Sequence, residues 1–178
     1  MFRFLMIAVV ALLSVVGMSS GARADLSLAV VDMQEILNKS DAAKSILDQV
    51  KAQRTKLAQE IKDIEAPLKK DEQALIQKKD TAKPEEFMAL KKEFEKKLQD
   101  ARAKVQDKRK STDDAFNKAV AELRDNVIAV VSGISTEKKI QLVITKQNVV
   151  IGDNSLDITS DVMAKLNVRV KTIKIKFN

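Results

Sequence analysis

The 178-residue chain has no cysteine, histidine, tryptophan or tyrosine, and only four glycines and two prolines. Without cysteine no disulfide can staple the fold, so a small chain of this kind depends on a good core or on partner subunits. Without cysteine and histidine, most nucleophilic triads, zinc sites and imidazole acid–base schemes are excluded. Carboxylate pairs and lysine chemistry remain open in principle. The acids, however, are spread along helical stretches with lysines between them, the pattern of a solvated face. No catalytic residue, cofactor or metal site is expected. Six phenylalanines are the only aromatics, so the basic balance comes without the stacking platforms that nucleic-acid binders use.

Charge is also missing from the first 24 residues, apart from Arg3 and Arg23. Arg3 is followed by the apolar run Leu5 to Met18, 14 residues long and shorter than the roughly 20 a membrane helix needs. Ala22-Arg23-Ala24 has the small-x-small pattern of a cleavage site. Met1 to Ala24 is therefore expected to be a secretory signal peptide, and the mature chain would start at Asp25. That leaves 154 residues with 30 basic and 25 acidic side chains, a net charge of +5.

What is present is dominated by one charged stretch, Ser40 to Ser111, which has no glycine and whose only prolines are Pro67 and Pro84. It reads as a helical arm running out and back. Ser40 or Asp41 is the expected N-cap. Outward, one heptad set is Leu47, Arg54, Ile61, Leu68 and Leu75. The other is Ala43, Val50, Leu57, Ile64 and Asp71. Eight of these ten positions are apolar, which predicts a coiled-coil-like helix. Pro67 is expected to bend the helix near Asp63 to Pro67 without ending it, because the seam keeps its phase.

The turn is expected at residues 79–84, with Pro84 at the first helical position and Glu85 and Glu86 at the positive end of the helix dipole. The return seam is Phe87, Leu90, Phe94, Leu98, Ala101 and Val105. It continues through Thr112, Phe116, Val120, Leu123 and Val127, and it widens with Ile128, Val130 and Val131, where a true core should begin. The helix should end at Gly133 or one turn later, at Lys138-Lys139.

Short apolar segments flank the arm. Asp25 to Asp32 reads as a strand buried on both sides, followed by one or two helical turns over Met33 to Asn38. Ile140 to Thr145 is a second predicted strand and Asn148 to Ile151 a third, joined by a tight turn. Asp157 should cap a short helix over Ile158 to Leu166, with Ile158, Val162 and Leu166 on one face. Asn167 to Asn178 reads as a basic amphipathic strand with a one-residue slip after Thr172. The expected organisation is thus an arm, 40–111, on a β-containing oligomerisation body, 25–39 and 112–178. The strands are too few to cover their own edges, which predicts an obligate homo-oligomer whose copies join strands in a shared sheet.

Leu28-Ala29-Val30-Val31-Asp32-Met33, together with Ile140 to Ile144 and Asp157-Ile158-Thr159-Ser160-Asp161-Val162-Met163, resembles the Skp/OmpH family of periplasmic chaperones. The resemblance implies an α+β fold in which a long helical hairpin arm stands on a small β-strand body. That body would close into a shared sheet or barrel in a jellyfish-like trimer. It implies a periplasmic holdase that works without ATP and keeps unfolded outer-membrane proteins from aggregating in a cavity between the arms. It also implies a lipopolysaccharide site on the arm. Pro67 and the basic segment Val168 to Phe177 depart from the family pattern.

Two basic groups are candidate client- or anion-binding residues: Lys78, Lys79 and Lys83 at the tip, and Arg102, Lys104, Lys108, Arg109 and Lys110 on the return helix. Each reads equally well as a solvated face; the functional partner would be an acidic client, lipopolysaccharide or an anionic membrane surface. Met88 lies off the seam and is the soft apolar candidate, with Ile46 and Ile76 of the same kind. Leu28, Val30, Val31, Leu142, Val143, Ile144, Val149 and Val150 are the candidate oligomer interface. The alternative function is a periplasmic coiled-coil spacer or adaptor. A tip of six residues leaves no room for the second folded module an adaptor would need.

Overall fold

The computed structural model describes residues 26–177. The predicted signal peptide lies outside the described residues. In chain order the elements are β1 (Leu28–Val31), α1 (Met33–Lys39), α2 (Asp41–Lys78), α3 (Pro84–Lys138), β2 (Leu142–Thr145) and α4 (Thr159–Arg169). Two 3-10 turns, Lys146–Asn148 and Asn154–Leu156, lie between β2 and α4.

The helix boundaries follow from their end residues. Ser40 caps α2 by accepting a hydrogen bond from the Ala43 amide at 3.2 Å, which satisfies one of the free N–H groups of the first turn. The helix runs unbroken through Pro67 to Lys78, about 57 Å at 1.5 Å per residue. Pro84 opens α3 as its first residue, where its missing N–H costs nothing. Of the two ends offered for α3, the later is realised: Lys139 takes the left-handed conformation at φ 55° and terminates the helix. Gly133 lies inside it.

The arm is itself the connection between two strands. β1 and β2 pair in parallel, with Leu28 opposite Leu142 and Val31 opposite Thr145. Parallel strands need a long crossover, and here α1, α2 and α3 supply it. On its other edge β1 meets the segment before α4, where the Ile158 amide donates to the Val30 carbonyl at 2.9 Å. β1 is thereby enclosed, and Ala29, Val30 and Val31 are buried as their two-sided apolar pattern predicts.

Two aspartates tie these elements together. Asp32 caps α1 by accepting from the Glu35 amide at 2.8 Å, and its other contact is the Gln147 side chain at 3.0 Å. Its own amide donates to Thr159 Oγ1 at 2.8 Å. Asp157 accepts from the Thr159 amide at 2.9 Å and from Lys146 Nζ at 2.8 Å. The last helix starts at Thr159 and runs on to Arg169 with Ile158, not Asp157, at its N-cap position and no side-chain cap there. Asp157 stands one residue earlier and binds the first amide of the helix. The bond from Lys146 and then that from Thr159 hold its carboxyl at about 2, below the ordinary 3.8.

One core sits at the base of the arm. It joins Ile36, Ile46 and Val50 to Leu123, Val127 and Ile134 of α3, and to Ile158, Val162 and Leu166 at α4. Past Leu57 the outgoing seam is only half-buried at Ile61, Ile64, Leu68 and Leu75. The return seam from Phe87 to Val105 is half-buried as well. Within the widening stripe, Ala119 is buried and Val120 is half-exposed, while Ile128 is 54 % exposed. A small alanine fits where α3 approaches its neighbours, and Ile128 turns away from them.

Two strand predictions fail. Residues 148–151 do not form a third strand. The chain turns there in a 3-10 bend, with the Val149 amide donating to the Lys146 carbonyl at 3.1 Å, and Val150 and Ile151 are 97 % and 92 % exposed. An apolar run makes a strand only where a neighbour offers a ladder, and no strand of the described chain lies beside this one. The C-terminal segment is not a strand either. Its first part, including Val168, belongs to α4, and residues 172–177 form neither helix nor strand.

Candidate binding surface

The arm combines a thin seam with rungs of charge. Lys97 reaches Asp71 at 3.0 Å, Lys108 reaches Glu60 at 2.5 Å and Lys78 reaches Glu86 at 3.8 Å, all between α2 and α3. The acidic seam position, Asp71, is therefore matched across the hairpin. Its hydrogen bond, helped by Glu93, raises the Lys97 pKa. The bond from Lys108 likewise lowers the Glu60 pKa.

These rungs redistribute the basic residues read from the sequence. Arg102 and Arg109 are seven apart and share one flank of α3, while Lys104 and Lys108, four apart, share the other. Lys110 lies on the back, away from the seam formed by Ala101, Val105 and Thr112. The densest basic run in the sequence is thus not one patch. Lys108 is spent on Glu60, and Arg102, Lys104, Arg109 and Lys110 remain exposed. At the tip Lys78 is shared with Glu86, while Lys79 and Lys83 are exposed.

The apolar candidates also divide. Met88 and Ile76 are 63 % and 65 % exposed near the tip. Ile46, expected to be free, is 2 % exposed in the core, whereas its neighbour Leu47, placed in the seam, is 53 % exposed. The seam at this level is shifted by one residue because Ile46 joins the core that also holds Ile36, Leu166 and Ile173. Leu47 instead borders an open depression of about 590 Å³ with Arg54, Thr55 and Phe116. Nearer the tip, Ala74, Leu75, Leu90 and Phe94 line a cleft of about 150 Å³, rimmed by Asp71 and Lys97.

Of the interface candidates, Val30 and Val31 are buried within the chain. Leu28, Val143, Ile144 and Val149 are half-buried, and Leu142 is 47 % exposed. Val150 and Ile151, in the loop that follows β2, are exposed as well.

One residue was missed by sequence reasoning. Gln49, on the flank of α2 away from Leu47, donates from Nε2 to the Ile173 carbonyl at 2.7 Å and accepts at Oε1 from the Ile175 amide at 3.0 Å. A glutamine in a charged helix carries no sequence signal; only its fold partner marks it.

This arrangement has counterparts among known proteins. The family model for outer membrane proteins of the OmpH-like type matches residues 27–166. The chain belongs to the OmpH-like family. A crystal structure of an OmpH-like protein from Caulobacter crescentus CB15, titled as an outer membrane chaperone candidate, superposes with a TM-score of 0.78 at 18 % identity, covering 85 % of this chain and 90 % of that one. The two share the α+β fold of helical arm and small strand body. No curated protein matches the chain. The OmpH-like match ends at residue 166, so the segment that Gln49 holds lies beyond it. Among the described residues there is no acidic cluster able to hold a metal ion, and no helix long and apolar enough to cross a membrane.

Proposed function

We propose that this chain is a periplasmic chaperone that holds unfolded outer-membrane proteins between helical arms, without ATP and without catalysis. The observation that carries the reading is the arm itself. It spans 38 residues outward, and its seam is nowhere fully buried past Leu57. Exposed apolar side chains stand singly along it at Leu47, Ile76 and Met88 among charges of both signs. Such a surface offers many weak, adaptable contacts and no deep pocket, which suits clients that differ in sequence. Membership of the OmpH-like family supports the same reading.

The proposal includes a homotrimer. The exposed apolar side chains of Leu142, Val150 and Ile151 would be covered by neighbouring copies, with the arms enclosing the client space. Lys79 and Lys83 would make first contact with acidic clients, lipopolysaccharide or an anionic membrane surface.

The test is aggregation. An unfolded outer-membrane β-barrel protein is diluted from urea with and without a threefold molar excess of the mature chain, and light scattering is followed. Suppressed scattering is expected; unchanged turbidity refutes the reading. Sedimentation should give about three times the chain mass, and a stable folded monomer would sink the trimer.

A further inference from the structure

The segment after α4 is held in an unusual way. Ile173 is 2 % exposed, Ile175 and Phe177 are half-buried against the core, and Lys174 and Lys176 between them are exposed. This is the burial alternation of a strand, yet among the described residues no strand pairs with it. Its main chain is engaged by one side chain, the Gln49 amide, which takes the Ile173 carbonyl and the Ile175 amide. A single residue of a parallel neighbouring strand would make the same pair of bonds through its own N–H and C=O. The exposed lysines stand among charges of both signs: Asp41, Lys44 and Asp48 line the depression shared with Lys174, and Asp107, Lys110, Asp114 and Lys118 that shared with Lys176.

We propose that this flank of α2 is a binding groove for extended peptide with apolar side chains at alternate positions, and that residues 171–177 occupy it as a tethered, displaceable stand-in. The recognition rule follows from the contacts. Gln49 reads backbone and is blind to sequence. The core accepts apolar side chains at every second residue, and the residues between them face solvent and charges of both signs, so they tolerate any polar side chain. Transmembrane β-strands of barrel proteins carry the same period of two. The inference rests on the holdase reading and deepens it: a client strand entering between the arms would exchange with the tail.

A tail joined directly to α4 acts at an effective concentration of roughly millimolar, so it masks the groove against free peptide. The test uses a fluorescent peptide of residues 170–177 and a scrambled control with its apolar residues adjacent. A chain ended after Val170 should bind the peptide at least tenfold more tightly than the full chain and should discriminate against the control. Adding Gln49→Leu to the shortened chain should reverse at least tenfold of that gain. Equal affinity with and without the tail, or indifference to Gln49→Leu, overturns the proposal.

Because removing Ile173 could unsettle the base, hydrogen exchange is also measured on the unaltered chain with saturating peptide. Faster exchange at residues 171–177 is expected, and unchanged or increased protection there overturns it. The peptide experiments need no unfolded client, so failure of the aggregation test leaves them standing. Conversely, a working holdase whose tail stays protected loses only the groove.

Discussion

Asp157 offers a quantitative check on how the base is assembled. Its carboxylate joins the end of β2, through Lys146, to the start of α4, through the Thr159 amide, beside the bond from Ile158 to β1. Asp157→Ala removes both bonds. The lost hydrogen bond to the Thr159 amide costs about 1 kcal/mol. The lowering of the carboxyl from 3.8 to about 2 would correspond to about 2.4 kcal/mol at 1.36 per unit. Solvent screening reduces it, since the Lys146 side chain is 53 % exposed. The two figures share the Thr159 bond and do not add, so the expected loss at pH 7 is about 2 kcal/mol. For a chain of this size that is a drop of about 4–8 °C in melting temperature.

The sign of the pH dependence follows from the lowered pKa. The stabilisation is fully present above the ordinary carboxyl value of 3.8 and is lost as pH falls through about 2. Melting followed by circular dichroism, at one protein concentration, should therefore show a gap between the parent and Asp157→Ala at pH 7 that narrows to a small fraction by about pH 2. Asp157→Asn keeps an acceptor for Thr159 and should lose about half as much. A gap of the same size at both pH values would refute the electrostatic account, and no gap at pH 7 would refute the latch.

Ile46→Ala should cost about 3 kcal/mol by opening a core cavity, whereas Leu47→Ala should cost under about 1 kcal/mol; the reverse order in chemical denaturation would contradict the register described here. Leu47→Ser should instead weaken suppression of client aggregation, measured by light scattering. Arg102→Gln with Arg109→Gln should reduce capture of an acidic client at low salt with the fold unchanged, while Lys108→Gln should speed amide exchange around Glu60 because it breaks a rung; equal effects would mean that the basic run acts as one patch. Lys97, whose pKa is raised by Asp71, lends its rung stability below its ordinary 10.5 and loses it as pH rises through the raised value, so exchange near Asp71 should quicken there in the parent but not in Lys97→Gln.

Much of this architecture was legible because its signals are local. The outgoing and returning helices, the tip at 79–84, Ser40 as cap, Pro84 as first residue and Asp157 before α4 all depend on residues within one turn of each other. The same locality misled at residues 148–151 and 172–177, whose alternating apolar patterns are strand-like. A strand needs a neighbour's backbone, and a pattern does not say whether one is there. The swap of Ile46 for Leu47 has the same origin: heptad counting assumes one helical partner, and at this level α2 has several.

The amino-acid sequence by itself determined the kind of molecule. It set two long helices with a narrow seam, a few short apolar segments and no cysteine or histidine for thiol, imidazole or zinc chemistry, because periodicity, caps and composition are properties of the chain alone. Only the tertiary structure decided how the charges pair across the hairpin, which of two adjacent apolar residues is exposed, and that Gln49 grips the C-terminal segment. Each of those depends on which groups, far apart along the chain, arrive within hydrogen-bonding or van der Waals distance.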